Sequence, residues 1–294
     1  MDKDTKHVLT VLGLFACFGA GYFTCKLENR TQLRIGNKFI DFQTVEDNTA
    51  GKAKFEIKDD EIAVQNAING YYRTGDKYFT YVDNIYKPVD EEEEEEETPE
   101  DSYKMIGDVL YIDYNFFSTF EMMTFEEAFK EFPDADKYII DLRDNLGGST
   151  ETCQSILGAF IGKKTVGKEI YYDGKVEDIT APESKYSIKG KVVILTNGKT
   201  ASSSELFCAA MKQFYPDTTL VGEKTFGKGI FQYDEVFGED HEIRYTAGYY
   251  TVGSWDCYQD IGIEPDIEVK MNYSEDIAGT EDDVQLQAAL DLFD

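Results

Sequence analysis

An α/β core with parallel strands is the fold class this sequence predicts, from one pattern that occurs twice and a composition able to fill a core. Lys191 to Thr196 is a strand-like apolar run ended by the turn dipeptide Asn197-Gly198. Leu206, Phe207, Ala210, Met211 and Phe214 then recur at helical spacing, and a second short run follows at Thr219 to Gly222. Earlier, Tyr138 to Leu142 leads through Gly147-Gly148 to a helix with Cys153, Ile156, Leu157, Phe160 and Ile161 on one face. Strand, helix and strand in alternation pair parallel strands through crossover helices. Hydrophobic residues make up 41% and aromatics 14% of 294 residues, ample for one large domain or two small ones.

The remaining elements follow in chain order. Val8 to Cys25 carries no charged residue, about the length of a bilayer-spanning helix, and predicts an uncleaved membrane anchor over residues 1–27, with a cleaved signal segment as the alternative. Lysines and arginines fall about equally on both flanks, so charge does not fix its orientation. Glu28 to Lys54 is polar and reads as a stalk or short strands. From Asp59, Ile62, Ala63, Ala67, Ile68 and Tyr71 predict an amphipathic helix ending near Gly75. Residues 28–86 thus form a stalk and small N-terminal segment, and residues 87–102 an acidic, self-repelling linker. Val109 to Tyr114 alternates like a strand. Thr124 is placed to cap a helix through Phe132, with Glu126 and Glu127 in its first turn. Glu242 to Thr251 predicts a strand, with Gly238 and His241 at an exposed hairpin tip. Val284, Leu286, Ala289, Leu290 and Phe293 predict a closing helix.

Charge excludes one class of function. The net charge is −29, and ten of the 58 acids fall between Asp90 and Asp101, which leaves −19 for the rest. Such a surface repels phosphate backbones, so nucleic acid is not an expected partner. Two histidines leave a histidine-based triad, or a nucleophilic pairing of Cys257 with a histidine, dependent on His241, since His7 borders the N-terminal apolar run. Cys153, Cys208 and Cys257 have neither metal-ligand spacing nor a disulfide framework, and the first two read as buried thiols. No metal, nucleotide or flavin motif is present, and no cofactor is expected.

Three segments carry the candidate chemistry. Lys199-Thr200-Ala201-Ser202-Ser203-Ser204-Glu205 places hydroxyls where a strand gives way to a helix. Unpaired N–H groups and the positive end of the helix dipole suit a nucleophile whose reaction makes an oxyanion. The same position suits a plain N-cap. Lys228, between Gly227 and Gly229 and beside Phe226, Ile230 and Phe231, sits in apolar company that lowers a lysine pKa and turns the amine into a base. It reads equally as a solvated lysine in a glycine-rich hairpin. Gly147-Gly148 puts backbone N–H groups at a helix start, an oxyanion site or simply a tight turn.

Together these segments resemble the carboxyl-terminal processing (tail-specific) proteases, serine peptidases with a Ser–Lys dyad. Asp141-Leu142-Arg143-Asp144-Asn145-Leu146-Gly147-Gly148 matches the family's Asp-Leu-Arg-x-Asn-Pro-Gly-Gly except at Leu146. Aligning the family's Ser-Ala-Ser-Ala-Ser-Glu on Glu205 puts its middle serine at Ser202, and Thr225 to Gln232 matches Thr-Phe-Gly-Lys-Gly-x-x-Gln. Gly262-Ile263-Glu264-Pro265-Asp266 fits a fourth motif. The resemblance covers roughly Tyr103 to the C-terminus, and it implies a catalytic domain at 103–294 with a crotonase-like spiral of ββα units. It further implies Ser202 as nucleophile, Lys228 as base, Gln232 orienting the amine, and amides of Ser203 and of Gly147 or Gly148 as the oxyanion hole. One extra residue between Glu205 and Lys228, around Pro216-Asp217-Thr218, makes Ser203 the alternative nucleophile. The family's PDZ domain has no room between Lys87 and Tyr103. The expected function is a serine endopeptidase with polypeptide substrates, membrane-anchored and extracytoplasmic. A catalytically inactive, protease-like ligand-binding or scaffold domain at the membrane surface is the alternative.

Overall fold

A computed structural model describes residues 32–35, 38–41, 69, 72–73, 75–82, 103–237, 241–271 and 277–294. The chain divides into two units, Met1–Val64 and Gln65–Asp294. In the first, β1 (Gln32–Ile35) and β2 (Lys38–Asp41) pair as an antiparallel hairpin. The apolar run Val8 to Cys25 lies outside the described residues, among which no helix is long and apolar enough to cross a membrane. Most of the helix expected from Asp59 also lies outside them, although Asn69 and Tyr72 are helical.

The second unit is built on a six-stranded sheet in the order β13-β10-β9-β6-β5-β4. Its strands are β4 (Tyr103–Ile106), β5 (Val109–Asp113), β6 (Lys137–Asp141), β9 (Lys191–Thr196), β10 (Thr218–Gly222) and β13 (Ile267–Glu268). All neighbours run parallel except the β4–β5 hairpin. Both faces of the sheet are covered, which explains why β9 reads as an unbroken apolar run. Tyr138, Ile140, Val192, Ile194 and Leu220 face the main core. Their chain neighbours Ile139, Val193, Leu195 and Val221 face Leu286 and Ala289 on the opposite side. The main core also holds the apolar faces of α1 (Thr119–Glu131), α2 (Thr150–Ile161) and α3 (Ser203–Phe214). The opposite face is closed by α4 (Val284–Leu290), continued by a single 3₁₀ turn through Phe293.

A second sheet, ordered β11-β12-β7-β8, packs its inner face on the main core through Val166, Tyr171, Ile179, Phe231 and Tyr250. It consists of β7 (Lys164–Tyr171), β8 (Val176–Ala181), β11 (Ile230–Phe237) and β12 (His241–Val252), all antiparallel. A short strand β3 (Thr80–Val82) adds to β12.

Two elements depart from expectation. Helix α1 begins at Thr119 rather than after Thr124. Phe117 is buried and pinned to the glycine turn, donating its N–H to Gly147 O and accepting from Ser149 N, so the chain turns into helix directly after it. His241 is not at a loop tip but opens β12, paired with Phe237. The strand thus begins one residue before the expected Glu242, and Gly238 lies outside the described residues.

Arg143, within the Asp141-Leu142-Arg143 motif, is 1% exposed and joins the sheet to α4. Its guanidinium donates to both carboxylate oxygens of Asp141 and both of Asp283, and to Gln285 Oε1 at 3.1 Å. Tyr111 Oη donates to Asp141 at 2.7 Å. Asp283 also caps α4, accepting from the N–H groups of Gln285 and Leu286. Burial pushes the Asp283 carboxyl upward, and the bonds from Arg143 and the helix amides more than reverse it, leaving its pKa below the usual value. Removing Arg143 strands two buried carboxylates, so Arg143→Met should destabilise the fold by about 3–5 kcal/mol in urea unfolding. A lowered pKa contributes stability above the unfolded value and loses it as pH falls through the folded one. Asp283→Asn should therefore flatten the acid limb of the stability–pH curve, below about pH 4.

Candidate active site

The site lies at the carboxyl ends of three adjacent parallel strands, where loops 142–149, 197–202 and 223–229 leave β6, β9 and β10. Ends of this kind gather residues distant in sequence onto one edge of an α/β sheet.

Asn145 ties the first loop to the second. Its Nδ2 donates to Tyr114 O, and its Oδ1 accepts from Gly147 N at 2.8 Å and from Ser204 Oγ at 2.8 Å. Its backbone carbonyl accepts from Ala201 N. The two glycines that follow are steric requirements. At Gly147, with φ 104°, a Cβ would stand 2.7 Å from Ser202 Cβ, and at Gly148, with φ 135°, 2.4 Å from Phe117 O. The first loop thus lies directly against Ser202. Ser149 then caps α2, accepting from Thr152 N.

The three serines fall into different environments. Ser203 and Ser204 are buried, and their hydroxyls donate to Gly148 O at 2.8 Å and to Asn145. Ser202 is partly exposed, with φ 57° and ψ −119°, a conformation that costs a non-glycine residue about 1–3 kcal/mol. Among the described residues its hydroxyl proton has no acceptor. The amide of Ser203, first in α3, and that of Gly148 also have no acceptor among the described residues. The Gly147 amide is held by Asn145. Pro216 and Asp217 lie in the connection between α3 and β10, at the far end of α3 from Ser202.

Glu205 joins the second loop to the third. It is fully buried at the start of α3, and its carboxylate accepts four bonds. Oε2 takes the amides of Ser202 (3.1 Å) and Lys228 (2.7 Å), while Oε1 takes the Gly227 amide (2.7 Å) and the Thr225 hydroxyl (2.5 Å). Two amides on one oxygen put the backbone nitrogens of Ser202 and Lys228 within about 6 Å of each other. Burial raises the Glu205 pKa, and the four donors oppose it. The sequence carried a signal for this role, since Ser-x-x-Glu at a helix start is the spacing at which Glu reaches back to the cap amide.

Lys228 is half-buried. Its Nζ donates to Gln232 Oε1 at 2.9 Å and lies 5.2 Å from the centre of the Tyr78 ring. Gln232 Nε2 in turn donates to the carbonyl of Tyr78 at 3.0 Å. Burial lowers the amine pKa, the charge of Arg244 lowers it further, and Asp76 partly offsets both. The structure brings Lys228 and Gln232 into contact, but no hydrogen bond joins Nζ to a serine hydroxyl. Tyr78 was not expected at the site, and nothing local marks it, because its contacts reach residues 154 positions away.

Cys257 donates its thiol to Gly229 O, and burial raises its pKa, the opposite of what a nucleophilic thiol needs. Cys153 and Cys208 are buried. No group of three His, Cys, Asp or Glu is placed to hold a metal among the described residues.

Known proteins are similar to this chain in sequence and fold. Residues 108–269 match the model of peptidase family S41. A carboxy-terminal-processing protease from Bartonella bacilliformis is 30% identical over 191 residues, covering 60% of this chain and 42% of that protein. A carboxyl-terminal-processing protease from Synechocystis is 35% identical over 161 residues, covering 54% of this chain and 37% of that one. The chain thus spans less than half the length of these curated relatives. Among solved structures, a lipoprotein from Streptococcus agalactiae superposes with TM-score 0.58 at 15% identity, over 98% of this chain and 93% of that one. A candidate S41 protease from Bacteroides fragilis does so with TM-score 0.55 at 20% identity, over 65% and 56%. These two share the fold. With a family match over more than half of its residues, the chain belongs to peptidase family S41.

Proposed function

We propose that this chain is a serine endopeptidase that cleaves extended polypeptides by acyl transfer, with Ser202 as nucleophile and Lys228 as base. The observation that carries the reading is the shared Glu205 carboxylate. It holds a strained, partly exposed serine and a lysine of lowered pKa on one oxygen.

In this mechanism the neutral amine of Lys228 gives one N–H to Gln232 Oε1 and keeps its lone pair for the Ser202 proton. Gln232 holds the amine without adding a negative charge that would favour the ammonium. Ser202 Oγ attacks the scissile carbonyl, and the oxyanion takes the N–H groups of Ser203 and Gly148. Gly147 can join them only by giving up its bond to Asn145. Each donor is worth about 3 kcal/mol in the transition state. The Lys228 ammonium then protonates the leaving amine. A water deprotonated by the same amine releases the acyl group, and the proton returns to Ser202.

The reading extends to the rest of the chain. The two sheets and their crossover helices are compatible with a crotonase-like spiral of ββα units as the catalytic domain, residues 103–294. Residues 87–102 form an acidic linker, residues 28–86 the stalk and N-terminal segment, and the apolar run in residues 1–27 an anchor holding the domain outside the cytoplasm.

Ser202→Ala should reduce cleavage of an unfolded protein by at least about 1,000-fold, while Ser203→Ala, which keeps the backbone amide, should stay within about tenfold of the parent. Activity retained in the first and lost in the second would move the nucleophile to Ser203. Lys228→Met should abolish turnover. In the parent, kcat/KM should rise with pH through a midpoint below the ordinary lysine value of about 10.4, because the base works only when deprotonated. A flat profile would remove Lys228 from the base role, and a folded parent with no turnover would favour the binding-domain alternative.

A further inference from the structure

Gln232 occupies an irregular place in its sheet. Strands β11 and β12 pair regularly from Phe237–His241 as far as Gln232–Thr246, and then the register slips, with Phe231 opposite Gly248. Ala247 is the extra residue. A bulge of this kind twists the strand, re-aims the neighbouring side chain and breaks the ladder locally. At this one the Thr246 amide is taken by a side chain from a distant part of the chain. Asp76 Oδ2 accepts from Thr246 N at 2.7 Å, and Asp76 Oδ1 accepts from Thr246 Oγ1 at 2.8 Å.

The same carboxylate turns its own segment toward the site. Asp76 Oδ1 accepts from Tyr78 N at 3.0 Å, and this turn presents the Tyr78 carbonyl to Gln232 Nε2. With its amide nitrogen so engaged, Gln232 directs Oε1 at Lys228 Nζ. The Tyr78 ring lies alongside the amine. Gln259 adds a second tie, accepting from Gly229 N while its Nε2 faces Tyr78 Oη at 3.4 Å. Beyond the turn, β3 pairs with Glu242–Arg244 of β12. An exposed ion pair, Lys77 to Asp260, completes the docking.

We propose that Asp76 and Tyr78 are positioning residues: by filling the bulge opposite Gln232, the segment 76–82 fixes the glutamine amide and through it aims the Lys228 amine at Ser202. The proposal rests on Lys228 acting as the base. It assigns to a short segment next to the acidic linker the completion of an otherwise preassembled site.

Charge and position make opposite demands at Asp76, which is what allows a test. The charged groups facing the amine are Asp76, which favours the ammonium, and Arg244 on β12, which disfavours it. On charge alone, Asp76→Ala would assist the neutral amine and raise activity near neutral pH. On position, it frees Gln232 and misdirects the base, and misplacement of about 1 Å costs on the order of 100-fold. The experiment is a double-mutant cycle on kcat with Asp76→Ala, Gln232→Ala and the pair, using an unfolded protein substrate. Asp76→Ala should lower kcat about 10- to 100-fold with KM within about twofold. In the Gln232→Ala background the same change should cost less than about threefold. If Asp76→Ala lowers the melting temperature, Asp76→Asn, which retains one acceptor oxygen, carries the cycle instead. Equal losses in both backgrounds, or an unchanged or raised kcat, would overturn the proposal. Lys228→Met, assayed alongside, separates the two readings. Turnover surviving that change removes the base itself, whereas turnover abolished there with an additive cycle removes only the role of Asp76.

Discussion

The arrangement of this site depends on one carboxylate that never meets solvent. Glu205 receives three amides and a hydroxyl from two loops that are otherwise joined by the Phe226 amide on the Thr200 carbonyl. Bonds to a charged acceptor contribute about 1.5–3 kcal/mol each, while a lone buried carboxylate would be strongly unfavourable. The balance holds only when all four donors are in place. The loops after β9 and β10 are thereby joined as one unit, and the unusual backbone of Ser202 is held by its neighbours rather than by its own preference.

A second tension runs between the whole protein and this one spot. In a chain of net charge −29 the usual company of a lysine is an acid, as Asp108 is for Lys137 and Glu126 for Lys185. Around Lys228 the trend is reversed by burial, by the positive charge of Arg244, and by an uncharged amide where a carboxylate would otherwise be the common lysine partner. Among the described residues Asp76 is the one acid that acts on it from nearby, and its oxygens are occupied by Thr246 and the Tyr78 amide.

What the sequence made legible was local. Apolar runs, the Gly147-Gly148 turn and the serine-rich helix start are each decided within a few residues by sterics and period, and they fall where composition places them. The three loops converge because parallel strands with crossover helices put all their carboxyl ends on one edge, so topology finished what motifs began. What remained hidden is carried by long-range polar contacts. Arg143 meets Asp283 140 positions away, and Thr246 meets Asp76 170 positions away. No periodicity records such pairs, because a single charged residue looks the same whether buried or solvated. The start of α1 was misjudged for a related reason: Thr124 is a good cap chemically, but the glycine turn holds Phe117 and starts the helix earlier.

The four bonds at Glu205 also bear on dynamics. Loop amides usually trade their hydrogens with solvent quickly, because small openings expose them. Those of Ser202, Gly227 and Lys228 all end on one enclosed acceptor, and freeing any of them means wetting a group that tolerates no water. The edge of the sheet that carries these loops is therefore a stiff rim, opened no more readily than the interior helices.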